Sequence, residues 1–163
     1  MAQWFAADFA FDQSLRDAFL TDHMQAAHGD LAHWMQTSAG VLALILLLDQ
    51  IPRNIFQGTP HMFATDGLAL DSARLALNYG FDECFAPDLR MFFYLPFTHS
   101  ECLADQRISL AKRRALGPRI KRRAEERLRI IERFRRFPHR NAMLGRTSSA
   151  EEIAYLEGGG FSG

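Results

Sequence analysis

Apolar positions recur at helical spacing along nearly the whole chain. Phe11, Leu15, Ala18, Phe19 and Ala26 share one face of the first predicted helix, while Asp12, Arg16, Asp17 and Asp22 take the others. Gly29-Asp30 closes that helix and caps a short one carrying Leu31 and Trp34. Thr37-Ser38 then offers an N-cap to residues 39–50, a run of Leu, Ile and Ala with almost no polar face. A helix that is apolar all round belongs in the middle of a fold. Pro52 has no backbone donor and restricts Ile51, which predicts that this helix stops near Gln50.

Thr59-Pro60 restarts helix, and Asp66 caps a segment whose Ala69, Ala73, Ala76 and Leu77 make a small-residue packing face. Gly80 suits the left-handed position after it. Pro87-Asp88 opens an aromatic helix with Met91, Phe92, Phe93, Tyr94 and Leu95, which Pro96 kinks or ends; Ser100-Glu101 starts another. After Gly117-Pro118, Ile120, Ala124, Leu128, Ile131 and Phe134 form an apolar stripe through a charged helix. Glu125 with Arg129 and Glu132 with Arg136 stand in the favourable order four residues apart. Ser148 with Glu151, or Ser149 with Glu152, has capping-box spacing before a last short helix. No segment alternates as a strand does. The expectation is an all-α fold of stacked antiparallel helix hairpins, a single domain over residues 1–157, and a loose Gly-rich tail over 158–163.

Composition changes this picture little. At 163 residues and 48% hydrophobic, with 14 phenylalanines, the chain can bury a core. Cys84 and Cys102 have no metal or redox spacing, and Cys84 lies in an apolar context that places it in or near the core. Met1-Ala2-Gln3-Trp4 lacks the basic-then-apolar pattern of a leader, and the run Ala39–Leu48 is half a bilayer-spanning length, so a cytoplasmic, membrane-free protein is expected. Charge matters more. Net charge is zero, yet residues 1–111 hold 13 acidic and 5 basic residues, while 112–140 hold 3 acidic and 13 basic. Pairing of the basic helix with the acidic half of the chain is the favoured explanation. A solvated basic face is preferred to non-specific nucleic-acid binding, since no aromatic residues interleave to stack bases, and to contact with an acidic protein partner.

Two short segments echo one another. Asp49-Gln50-Ile51-Pro52-Arg53-Asn54 follows the most apolar run, and Phe137-Pro138-His139-Arg140-Asn141 follows the most basic one. Each sets proline, arginine and asparagine at a helix end, with glycine four residues after the asparagine, at Gly58 and Gly145. Together with Phe63-Ala64-Thr65-Asp66, the run Met91 to Glu101 and Leu144-Gly145-Arg146, these motifs resemble the bacterial "domain of unknown function 924" family. The resemblance covers nearly the whole chain. It implies helix pairs stacked as in tetratricopeptide-repeat proteins and carries no established activity. It also implies an aromatic segment ahead of Trp4-Phe5 and a longer connection around Leu116-Gly117-Pro118; without that segment a groove would be open or differently filled.

Arginines at helix ends can grip a carboxylate or phosphate with two donors. Arg53, Arg140 and Arg146 are therefore candidates, with Asp49 and Glu101 to hold them. Structural use, closing helix C-termini and pairing with those carboxylates, is the competing role. The expected ligand-binding set is Gln50, Arg53, Asn54, Tyr94, His99, His139, Arg140, Asn141 and Arg146, with Phe63 and Phe97 as further walls. The leading function is a non-catalytic cleft for an anionic small molecule or peptide. The first alternative is a hydrolase or transferase in which His99 or His139 is the general acid/base and Asp49 or Glu101 orients it. The second is a protein-interaction scaffold. No metal or cofactor is expected, because His23, His28 and His33 scatter around a helix and no other ligand spacing exists. Homo-oligomerisation stays open.

Overall fold

In the computed structural model residues 9–162 are described; Trp4-Phe5 and Gly163 lie outside the described residues. Among them every regular element is helical. Seven longer helices are α1 (Phe9–His28), α2 (Ser38–Ile55), α3 (Asp66–Asn78), α4 (Pro87–His99), α5 (Leu103–Arg113), α6 (Pro118–Phe134) and α7 (Ala150–Glu157). The chain divides into two compact units, Met1–His99 and Ser100–Gly163.

In the first unit α2 is the core, as its composition requires. Val41, Leu44, Ile45, Leu48 and Ile51 are buried, and α1, α3 and α4 all pack on it. Thr37 caps it by accepting the Gly40 N–H at 3.1 Å. Ala69, Ala73 and Ala76 are fully buried on α3, so that helix approaches closely. On α1 the buried residues are Leu15, His23 and Ala26, whereas Phe19 is exposed at the edge of the expected face. By length and mean hydropathy (1.2) α2 could cross a membrane, but 61% of it is buried inside the fold, the pattern of a core helix.

Helix α2 does not stop at Gln50. It widens into a π turn over Leu46–Gln50, where the Ile51 N–H bonds to the Leu46 carbonyl, and continues to Ile55 with Pro52 inside it. Proline's missing donor is tolerated because side chains take over. His23 Nδ1–H donates to the Leu47 carbonyl (2.9 Å), Thr65 Oγ1 to Leu48 (2.6 Å) and Arg53 Nη1 to Asp49 (2.7 Å). Likewise Pro96 sits within α4, which ends at His99. Cys84 is exposed, since its 3-10 turn buries Asp82 instead.

In the second unit α5 and α6 form a packed pair across the short turn at Gly117. Ala124, Ile130 and Ile131 are buried on α6, and Phe137 joins Ile130 and Ile131 in a small core. Fully burying a ring such as Phe137 contributes roughly 1.5–3 kcal/mol. Ser100, not yet helical, accepts the Cys102 N–H and donates to Asp105, so α5 begins two residues later than expected. Of the two candidate capping boxes, Ser149 with Glu152 forms. Arg136 is gripped by Glu152 with two donors, at 2.6 and 2.7 Å, rather than by Glu132 on its own helix. The Gly-rich stretch is not a loose tail. The Phe161 N–H donates to Tyr155 Oη, its ring meets His139 edge-on at 4.9 Å, and the Arg127 guanidinium lies 3.5 Å over it.

Candidate functional site

The π turn of α2 presents Asp49 and Gln50 side by side, both buried. Widening a helical turn re-aims the side chains on it, which is why such turns collect at functional sites. Asp49 is wholly enclosed, and three donors meet its carboxylate. His99 Nδ1 lies 2.7 Å from Oδ1, Arg53 Nη1 lies 3.2 Å from the same oxygen, and Gln50 Nε2 donates to Oδ2 at 2.5 Å. Burial alone would push the Asp49 carboxyl up; the charge of Arg53 and the hydrogen bonds donated by His99 and Gln50 overcome it and hold the group far below its ordinary range. Arg53 is itself divided between two carboxylates, its second amino group reaching Asp66 at 2.8 Å on the first turn of α3. Its guanidinium also stands 5.9 Å from the Phe63 ring.

His99 feels the opposite balance. Burial, then the Arg53 charge, depress its pKa against the pull of Asp49, so the ring is neutral at pH 7. A neutral imidazole that donates Nδ1–H to a carboxylate carries its lone pair on Nε2. The side chain keeps about one-fifth of its surface exposed. Asp49 thereby fixes the orientation of the ring and its tautomer.

The second unit gathers the other echo. Glu101 accepts the Phe137 N–H at 2.7 Å and both Arg146 amino groups, at 2.7 and 3.0 Å. Burial raises the Glu101 pKa, but these donors outweigh it and lower the net value. Arg140 is buried with its guanidinium 4.7 Å over the Phe137 ring. His139 lies between the rings of Phe137 (5.6 Å) and Phe161 (4.9 Å). Its Nδ1 is buried without a hydrogen-bond partner, and burial together with Arg140 and Arg127 lowers its pKa to about 4. Asn141 donates to Ser148 at 3.0 Å, while its Oδ1 is buried and unpartnered. Gly58 and Gly145, after the two echoed corners, both adopt positive φ, +77° and +63°, where a side chain would be strained.

The expected residues thus fall into two sets. Asp49, Gln50, Arg53 and His99 meet in the first unit; Glu101, His139, Arg140, Asn141 and Arg146 lie in the second. Three others serve elsewhere in the first unit. Asn54 donates to Asp12 on α1 (3.1 Å), Tyr94 is buried with its hydroxyl on Asp82 (2.7 Å), and Phe97 is core. Asp66, Thr65 and His23 were missed as partners of the π turn. Asp66 and Thr65 belong to the Phe63–Asp66 motif, but a residue at a helix start reads as a cap. Among the described residues no group of three or more His, Cys, Asp or Glu is placed to hold a metal ion.

The family model described as "Bacterial protein of unknown function (DUF924)" matches residues 1–160. A solved structure of a protein of unknown function from Agrobacterium tumefaciens is 46% identical, with a TM-score of 0.94 over 96% of this chain and 89% of that one. No curated protein matches the chain.

Proposed function

The chain belongs to this bacterial family of unknown function, and we propose that its first unit carries an acid–base centre, making the protein a hydrolase or transferase that works through His99. The observation that carries this is the 2.7 Å contact between His99 Nδ1 and the enclosed carboxylate of Asp49. Asp49 would fix the ring and its tautomer, and His99 Nε2 would take a proton from water or a substrate hydroxyl. Gln50 and Arg53 keep the carboxylate ionised and still; with Arg53 shared by Asp49 and Asp66, a positioning role fits it better than substrate contact. A cytoplasmic location accords with α2 being a core helix.

Activated p-nitrophenyl esters and phosphates assayed with wild type and His99→Gln test this reading. Turnover that His99→Gln lowers by about a hundredfold or more, with folding intact, supports it. Turnover absent from the wild type, or unchanged in the variant, overturns it.

A second reading is favoured by the second unit. His139 Nδ1 and Asn141 Oδ1 are buried polar atoms without partners, near the cationic Arg140. Such atoms are costly when left unpaired. A non-catalytic binding site for a small anionic molecule bearing donor groups would use them, with Arg140 supplying charge.

A further inference from the structure

The second unit holds fifteen Lys and Arg against eight Asp and Glu, a formal net charge of +7. Two buried groups report the resulting field. Arg113, 4% exposed, is pushed down to about 10 by burial and then by its like-charged neighbours Arg127 and Arg123. His139 is likewise lowered by burial, then by Arg140 and Arg127. Much of this charge stands at the surface: Arg107, Arg114, Arg119, Arg122, Arg123 and Arg129 are all exposed. Self-repulsion of this kind destabilises a fold, and an anionic partner relieves it.

The charge surrounds a feature with shape. Arg107, Leu110, Ala111 and Arg114 recur at i, i+3, i+4 and i+7, one stripe along α5 and the turn after it. Facing them on α6 are Lys121 and Glu125, paired at 3.4 Å, and between the two sets lies a groove of about 220 Å³ with an apolar floor. Small-molecule clefts hold roughly 300–1,000 Å³, so this one suits a side-chain anchor better than a whole ligand. Ile108 adds exposed apolar surface on α5.

We propose that this α5–α6 groove docks an acidic amphipathic segment of a partner protein, whose apolar side chain enters over Leu110 and Ala111 while its carboxylates meet Arg107, Arg114 and Lys121. Charge complementarity selects an anionic occupant, and the apolar floor selects among anions. Phosphate backbones leave that floor unused, and the six groove residues include no aromatic ring for a base to stack on. A bilayer surface cannot follow a concavity between two helices. Helix-in-groove recognition matches both features.

The probe is a fluorescein-labelled peptide with Glu and Leu on opposite faces of a helix, titrated by anisotropy into the full chain. Wild type is expected to bind with an affinity that falls as salt rises. Arg107→Glu with Arg114→Glu weakens it by about tenfold or more, and Leu110→Ser by several-fold, while Arg129→Glu, outside the groove, leaves it within about twofold. Melting temperatures establish that each variant folds. Absence of binding overturns the proposal. So does equal binding by an all-glutamate peptide of the same charge, by a single-stranded oligonucleotide or by anionic vesicles. Self-association abolished by the same charge reversals would identify a second copy of the chain as the occupant, and would overturn it too.

Discussion

Asp49 and His99, fifty residues apart, meet at 2.7 Å between Oδ1 and Nδ1, one on a π turn in the buried helix and the other at the last residue of α4. Asp49 is fully enclosed, so the contact joins two helices through a charge that cannot be hydrated. Removing either partner therefore has consequences for the fold as well as for chemistry.

Asp49→Asn should be strongly destabilising. It strips a buried carboxylate from Arg53, His99 and Gln50 at once, and loss of one member of a buried ion pair costs about 3–5 kcal/mol. Asp66→Asn touches the same arginine at a more exposed carboxylate and should cost about 1 kcal/mol or less. Urea unfolding of the two variants beside wild type checks the contrast.

Glu101 and Arg146 should be energetically coupled. Their contact uses two donors, but both side chains are about one-quarter exposed, so solvent screening reduces its worth. A double-mutant cycle with Glu101→Gln and Arg146→Lys should return a coupling of about 1 kcal/mol, falling with added salt.

Stability should decline in acid through the histidines. In the unfolded chain His139 binds its proton near pH 6.5, but in the fold only near 4. Between those values the unfolded state holds more protons, so stability rises with pH. The contribution is fully present above about pH 6.5 and is lost as pH falls towards about 4. His99, also depressed, adds to the loss in the same direction. Unfolding midpoints between pH 4 and 7 for wild type and His139→Gln should converge as the pH falls.

Phe161→Ala should uncover His139. The ring stands 4.9 Å from the imidazole and shields it. With that shield gone, the NMR titration of His139 should move up from about 4 towards its ordinary value, with little change in the rest of the spectrum.

The helical class was legible because apolar spacing is a local signal: the alanines of α3 and the stripe of α6 lie where their periodicity placed them, and α2 is buried as its lack of a polar face requires. Asp49 and His99 could be nominated one by one from their motifs. Their meeting could not, because Pro52 predicts that α2 stops near Gln50. Continuation depends on His23, Thr65 and Arg53 supplying donors to three carbonyls, and two of these lie far from the turn in sequence. Phe161 escaped for a similar reason. Glycines around it signal freedom, whereas Tyr155, His139 and Arg127 supply the contacts that use it.

The most direct test is the acylation of His99 by diethylpyrocarbonate, followed by peptide mass spectrometry on the folded protein. Neutral, oriented and partly exposed, His99 should react faster than His139, keep reacting below pH 6.5, and slow markedly in Asp49→Asn wherever that variant remains folded. A His99 that stays unmodified until the protein unfolds would show that Nε2 is not available, and the Asp49–His99 contact would then be a clasp between helices rather than a working base.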